Sequence, residues 1–419
     1  MSPNLPEVHL IAGTRPEAIK LAPVAAAMRA AGRLQPVIVA SGQHPQMVAQ
    51  ALAAFGEVPD IALPVQRLTG SQPELMTEMI RKLDALFEQR PPAAVIVQGD
   101  TTTTLAGALA AFWRRIPVVH LEAGLRSGDL ASPFPEEANR RLVGQLAQLH
   151  LAPTTLAAAN LLDEGVAGPQ VLITGNTVVD ATLSVAAQAV PFDDPRLEAV
   201  VARAAAGTGR LVLVTAHRRE SWGEPLERIL LAVRNLVLAY PDLHVVLPSH
   251  PNPAVRAQVE AGLAGLDRVV ITDPLPYPAL SRLLSHAYLA LTDSGGIQEE
   301  APSFGVPALV LREVTERVES LRAGCAKLVG SDTALIITEA AQLLDDRELR
   351  DSMTAAGNPY GDGLAAQRTE QAVAAMLGLA AAPEPMPQVD SGGHSPDRAA
   401  GKPFRRPTPR RAGRRLVAV

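Results

Sequence analysis

Acidic side chains recur at one kind of place in this 419-residue chain, just past a short aliphatic run. Asp100 closes Ala94-Val-Ile-Val-Gln-Gly-Asp100, and Glu122 follows Val118-Val-His-Leu121. Glu136 follows Ser132-Pro-Phe-Pro135, a loop stiffened by two prolines, and opens a helical stretch together with Glu137. Carboxylates gathered in one cleft raise one another's pKa and can remove and return a proton. Taken singly, Asp100 serves equally well as a helix cap, and each glutamate as a charge favouring a helix dipole. Four threonines after Gly99-Asp100 exceed what capping needs, so a sugar-binding or acid–base role competes with the cap.

A second set of residues suits an anion. Leu291-Thr-Asp-Ser-Gly-Gly-Ile-Gln-Glu-Glu300 reads as a strand end, a turn at Ser294-Gly295-Gly296, and a helix opening directly after it. A helix start offers free N–H groups and partial positive charge, which fits phosphate. Gly295 and Gly296 allow close approach to the backbone. Glu300 lies four residues past Gly296, one turn deeper on the same face, where a carboxylate could accept both hydroxyls of a ribose. Gly13-Thr-Arg-Pro-Glu-Ala-Ile-Lys20 sets Arg15 and Lys20 near the start of the first helix, again toward phosphate. His217 follows a strand with Arg218 and Arg219 behind it, a placement that fits leaving-group or proton chemistry. His250 stands similarly on the next strand. Arg317 either meets phosphate or pairs with Glu316 or Glu319. The chain has no Gly-x-Gly-x-x-Gly fingerprint, no Walker loop, no Gly-x-Ser-x-Gly elbow and no metal-ligand spacing.

The elements that must position these residues alternate. Aliphatic runs at 8–12, 36–40, 94–97, 118–121, 150–152 and 171–174 are each followed by a helical stretch. A second series runs through 211–215, 244–247, 269–272, 289–292, 308–311 and 327–329. Continuous apolar strands alternating with helices predict parallel sheets covered on both faces, and two series predict two doubly wound α/β domains. The join falls near 183–195, where Pro191-Phe-Asp-Asp-Pro195 reads as linker. From about residue 380 periodicity stops, and 380–419 reads as a disordered basic tail without assigned function.

Composition sets bounds. Hydrophobic content of 47% and charged content of 19% suit a well-packed globular chain, and 3% aromatics leave the core to aliphatics. A single cysteine, Cys325, forbids an internal disulfide and fits a reducing, cytoplasmic setting. The start lacks a signal-peptide pattern, and no run of about eighteen apolar residues reads as a membrane span. Residues 398–419 hold eight of the 38 basic residues and none of the 43 acidic ones. The remainder therefore sets 30 basic against 43 acidic residues, which argues against nucleic-acid binding by the folded body.

Eight motifs in order carry a specific resemblance: Gly13-Thr-Arg-Pro-Glu-Ala-Ile-Lys20, Gly99-Asp-Thr-Thr-Thr-Thr104, Glu122-Ala-Gly-Leu-Arg126, Pro135-Glu-Glu-Ala-Asn-Arg140, Gly175-Asn-Thr-Val-Val-Asp180, His217-Arg-Arg-Glu-Ser221, Thr292-Asp-Ser-Gly-Gly-Ile-Gln-Glu-Glu-Ala-Pro-Ser303 and Asn358-Pro-Tyr-Gly-Asp-Gly363. From Val8 to Leu377 the chain resembles the non-hydrolysing UDP-N-acetylglucosamine 2-epimerases. The resemblance implies a GT-B-like fold: a Rossmann-like domain over 1–182, a UDP-binding one over 195–360, and a last helix at about 363–378 crossing back to the first. It implies a homodimer that interconverts UDP-GlcNAc and UDP-ManNAc without a cofactor, through elimination and re-addition of UDP, for surface polysaccharide precursors. By match, Arg15, Lys20, His217, Ser294, Gly295, Gly296, Glu300 and Arg317 bind UDP. Asp100, Glu122 and Glu136 serve proton transfer and stabilise an oxocarbenium-like transition state, and His217 assists the departing diphosphate. Gln43, His44, Gln46, Met47, Arg218 and His250 match the region where bacterial relatives bind a second UDP-GlcNAc as activator. Leu275 and Leu280 depart from the family's glutamine and phenylalanine near the uracil, and Val318 from its proline. Other readings are a hydrolysing relative releasing ManNAc and UDP, a GT-B glycosyltransferase, and a non-catalytic nucleotide-sugar sensor.

Overall fold

The computed structural model describes residues 5–65, 68–218 and 221–387. Two parallel sheets organise it. The first holds β1 (Glu7–Ala12), β2 (Gln35–Ala40), β3 (Ile61–Ala62), β4 (Ala94–Gln98), β5 (Val118–Leu121), β6 (Leu149–Ala152) and β7 (Val171–Ile173). The second holds β8 (Arg210–Thr215), β9 (Leu243–Pro248), β10 (Val269–Thr272), β11 (Ala287–Thr292), β12 (Ala308–Val310) and β13 (Ala326–Leu328). Their orders are 3-2-1-4-5-6-7 and 10-9-8-11-12-13. Both sheets are doubly wound around a central strand. β1 lies between β2 and β4, and β8 lies between β9 and β11, so the topological switch points fall at those pairs.

The strands form because both faces are buried. Val8, Leu10, Ile11 and Ala12 are all fully covered, as are Leu213, Val214, Leu289 and Leu291. Each sheet separates two layers of apolar packing, with Ile38, Leu21 and Val24 on one side of the first sheet and Val97, Leu83 and Phe87 on the other. β3 was absent from the sequence reading. It is two residues long, too short to leave a pattern.

Helix starts are written locally. Thr14 and Glu17 form a capping box at helix Arg15–Ala31, which ends at Gly32 in the left-handed region. Thr101 and Thr104 form another at helix Thr102–Trp113. The cap there is therefore Thr101, and Asp100 is left for other work.

The connection between sheets differs in detail from the sequence boundaries. Helix Thr177–Ala186 runs past residue 182, and the next helix starts at Pro195, so the connecting stretch shortens to 187–194. Thr182 on that helix reaches Ser281 and Glu300 of the second lobe. The second crossing is at Asn358–Gly363. Tyr360 offers its carbonyl to Asn176 N–H at 2.6 Å, while its hydroxyl meets Ser320. Helix Ala365–Met376 then packs on the first lobe, with Glu370 paired to Arg33 and the Ala366 N–H donating to Asp180 at 2.8 Å. The stretch read as tail from residue 380 begins against the body: Met386 is buried and its N–H donates to Ile173 O at 2.8 Å. Residues 388–419 lie outside the described residues.

Candidate active site

The carboxyl ends of both sheets face one crevice of about 710 Å³. The first lobe contributes Arg15, Lys20 and Met47 to its wall, and the second His217, His250, Ser294, Gly296, Glu300 and Arg317. Residues that the sequence placed after strands of both series thus share one cavity. Leu275 and Leu280 line it as well, beside Pro248 and Tyr277.

The loop after β1 reaches the crevice because Gly13 permits close packing. A Cβ there would stand 1.9 Å from Thr103 Oγ1 and 2.6 Å from Ser41 Oγ. Glu17 is buried and accepts from the Gly13 and Thr14 N–H groups and from Thr101, so it ties the loop after β1 to the loop after β4. Arg15 and Lys20 ride on the helix that starts there.

Asp100 is tied to the helix that Glu136 opens, through Arg140 and the Asn139 amide, while Glu122 bonds Lys20 of this wall. The charges of Glu122 and Glu136 both act on Asp100. Burial pushes the Asp100 carboxyl above its ordinary range, and Arg140, whose Nε donates to Oδ2 at 3.0 Å, opposes that only in part. Glu122 behaves in the opposite way. Burial pushes it up, but Lys20, Arg317 and the Asn176 amide outweigh burial and hold it below the usual range. Lys20 Nζ donates to its Oε1 at 2.5 Å, Asn176 Nδ2 to the same oxygen at 3.0 Å, and Gln98 Nε2 to Oε2. Glu122 sits at φ 62°, a left-handed backbone that costs a non-glycine residue about 1–3 kcal/mol. That strain is held in place by the three donors. Neighbouring Gly124, at φ 93°, lies where a Cβ would meet Ala157 O at 2.1 Å. Glu136 opens its helix, while its neighbour Glu137 is fully buried and accepts from the Ser127 N–H at 3.0 Å, fixing the loop before it. None of the three acids forms the open crevice wall. Lys20 and Arg317 do, and both act on Glu122. Arg140 and Arg317 also line a smaller cavity of about 60 Å³ between the lobes.

A run of alternating charges crosses from lobe to lobe. Arg317 stands 2.6 Å from Glu299, Glu299 stands 3.8 Å from Lys20, and Lys20 binds Glu122. Burial would lower the pKa of Lys20, but Glu122 and Glu299 reverse this and keep it charged. Arg317, partly buried, is kept charged by Glu299 first and Glu122 second. Its main partner is therefore Glu299, with Glu316 farther off at 3.4 Å, and Glu319 bonds Thr154 instead. An entering diphosphate would compete with these acids for both cations.

Helix Gly295–Glu300 begins at Ser294, as its spacing suggested. A Cβ on Gly295 would touch the Arg317 guanidinium at 3.4 Å, and one on Gly296 would lie 3.5 Å from Glu300 Oε1. The turn, the arginine and the glutamate are thus one unit. Burial, with Glu299 beside it, pushes the Glu300 carboxyl up to about 8. His217 extends into solvent-accessible space, with its backbone N–H donating to buried Asp293 at 2.8 Å.

Of the six residues matched to an activator region, Met47 and His250 line the same crevice. Gln43 instead accepts from Thr103 Oγ1 at 2.8 Å, the His44 N–H donates to Gly13 O, and Gln46 is exposed. The Arg218 N–H donates to Asp293. Arg219 lies outside the described residues.

Five residues with evident roles went unassigned in the sequence: Gln98, Asn176, Arg140, Glu299 and Asp293. Each sits inside or beside one of the quoted motifs, Gln98, Asn176 and Asp293 at strand ends, Glu299 in the helix after β11 and Arg140 in the helix after the two prolines, and that position was their available signal. Their partners are 24 to 102 positions distant across the set around Glu122 alone, so no local pattern could pair them.

Two doubly wound lobes enclosing a cleft with cations at one level and carboxylates behind them define a GT-B-like α/β protein. Residues 26–374 match the family model described as UDP-N-acetylglucosamine 2-epimerase. The Escherichia coli K12 UDP-N-acetylglucosamine 2-epimerase is 44% identical over 368 residues, covering 88% of this chain and 98% of that protein. The Bacillus subtilis enzyme of the same name is 42% identical over 362 residues, covering 86% and 93%. The structure of the Neisseria meningitidis UDP-GlcNAc 2-epimerase bound to UDP-GlcNAc superposes with a TM-score of 0.77 at 40% identity, covering 89% of this chain and all of that one. The chain belongs to the UDP-N-acetylglucosamine 2-epimerase family.

Proposed function

We propose that this chain interconverts UDP-GlcNAc and UDP-ManNAc by eliminating and re-adding UDP, without consuming water. A base takes the proton from C2, the C1–O bond to UDP breaks, and a C1=C2 double bond forms, giving 2-acetamidoglucal. A proton is then delivered to the opposite face of C2, and the UDP oxygen re-forms its bond to C1. The observation that most supports this reading is Glu122 bonded to Lys20 of the crevice wall at 2.5 Å, with Asp100 held by Arg140 of the helix that Glu136 opens.

The roles divide by environment. Asp100, its carboxyl raised by burial, carries the moving proton. Glu122, ionised and held by three donors, fixes Lys20 and places negative charge near a cationic transition state. Arg15, Lys20 and Arg317 receive the diphosphate, Ser294 and the Gly295-Gly296 turn approach it, and Glu300 takes the ribose. His217 assists the leaving phosphate. A hydrolysing outcome would need water to trap the glucal before UDP returns.

The test is incubation with UDP-GlcNAc in deuterated water, followed by NMR. Deuterium at C2 with UDP-ManNAc appearing is the expected result. Free ManNAc would establish the hydrolysing alternative, and no exchange would sink both in favour of a transferase or a sensor.

The same reading extends to an activating second UDP-GlcNAc near Gln43, His44, Gln46, Met47, Arg218 and His250. It extends also to a homodimer acting in the cytoplasm on precursors of surface polysaccharide. Exposed Phe112 and Trp113 on helix Thr102–Trp113, and Leu142 on the helix packed against it, offer an apolar face for a second copy.

A further inference from the structure

Asp293 is fully buried at the end of β11, across the second switch point from His217 at the end of β8. Its two oxygens have different duties. Oδ2 accepts from three donors on the facing loop: the His217 N–H at 2.8 Å, the Arg218 N–H at 2.8 Å and Ser221 Oγ at 3.2 Å. Oδ1 has no hydrogen-bond partner, and the nearest ring nitrogen it faces is His217 Nδ1 at 3.4 Å. A buried carboxylate oxygen left free toward one ring nitrogen favours a proton on that nitrogen. The ring then presents Nε2, unprotonated or protonated, to the crevice that His217 lines.

We propose that Asp293 is a positioning residue for His217: it anchors the loop through Oδ2 and sets the imidazole's orientation and Nδ1–H tautomer through Oδ1. The proposal rests on the reading that His217 serves the leaving diphosphate. With Nδ1–H held by the carboxylate, the ring can carry a second proton on Nε2 and donate it in a hydrogen bond to the departing diphosphate oxygen; a ring facing an amide NH2 at Nδ1 cannot carry both protons, and a ring without the carboxylate is free to turn away.

The geometry makes one substitution unusually informative. In Asp293→Asn the three loop donors still require an acceptor, so the amide oxygen must take the Oδ2 place. The NH2 group is then forced to the Oδ1 place, where it donates to His217 Nδ1. The loop anchor survives, while the tautomer inverts to Nε2–H. Asp293→Ala removes both duties and separates loss of the anchor from loss of the tautomer.

The experiment measures nitrogen shifts of His217 in 15N-histidine-labelled full-length protein, with kcat and UDP affinity for the wild type and both variants. The wild type should show Nδ1–H. Asp293→Asn should show Nε2–H and a kcat lower by roughly 10²–10⁴-fold, with UDP affinity changed by no more than about threefold. Asp293→Ala should lose thermal stability as well. An Nε2–H tautomer in the wild type would overturn the proposal without any variant having to fold. So would an Asp293→Asn enzyme turning over at the wild-type rate. A His217→Gln variant separates the two ideas. If it retains full activity, the histidine's part in the reaction fails, whereas the nitrogen shifts still decide whether Asp293 sets its tautomer.

Discussion

Glu300 lies one turn below Gly296, where burial and Glu299 push its carboxyl up to about 8. At pH 7 it is mostly protonated. Ribose hydroxyls donating to it would favour the ionised form, so UDP binding should release a proton and tighten about tenfold between pH 7 and pH 9. Calorimetry in buffers of different ionisation enthalpy checks this, and Glu300→Gln should abolish the dependence. Stability carries the opposite trend. The folded value of about 8 exceeds the ordinary 4.5, so the stability that protonated Glu300 keeps is fully present below about 4.5, is lost as pH rises from there to about 8, and falls no further above that. Glu300→Gln should therefore melt higher than the wild type at pH 9, with the gap closing near pH 5. Asp100 makes a different prediction. Asp100→Asn should lower kcat by about 10²–10⁴-fold, because the proton carrier is gone, and leave UDP affinity nearly unchanged, because Arg15 and Ser294 are untouched. Isotope exchange at C2 and direct UDP titration measure the two effects separately.

At the scale of elements, the loops after β1 and β4 hold each other. Gly13 leaves just enough room for Thr103 and Ser41, and Glu17 bonds both loops. Gly13→Ala should cost about 1–3 kcal/mol of stability in urea unfolding and raise KM, since the displaced loop carries Arg15. Most of these elements were legible. Twelve strands announced themselves as continuous aliphatic runs because both faces are buried, whereas the caps Thr14 and Thr101 come from the structure; the sequence offered Asp100 as the cap of the second of these helices. The helix through residue 186 was less legible, because Ala-Thr-Leu-Ser-Val-Ala carries no stop signal. The strained turn at Glu122 was not legible either. A glutamate in the left-handed region persists only through donors from β4 and from the turn after β7.

The whole molecule is joined by two crossings and by the charge run from Arg317 to Glu122. Since Glu299 belongs to one lobe and Lys20 to the other, relative lobe movement and diphosphate binding must affect the same pairs. An activator bridging Met47 and His250 would act across the same crevice. Arg218→Ala should weaken activation by UDP-GlcNAc, seen as altered sigmoidal kinetics, while leaving the fold intact; unchanged sigmoidicity would remove Arg218 from that role. Replacing Phe112 and Trp113 by aspartate should convert a dimer to a monomer by light scattering. A variant that stays dimeric would place the interface elsewhere.

The sequence alone determined the fold class, the ends of all the strands but β3 and the candidate acids, because alternation of apolar strands and helices is a local property of the chain. Only the tertiary structure decided which charges face one another. Pairing Lys20 with Glu122, Arg317 with Glu299, and Asp293 with His217 depends on how each sheet is wound, which brings loops distant in sequence together at its carboxyl end, and the resulting burial determines which carboxyl keeps its proton.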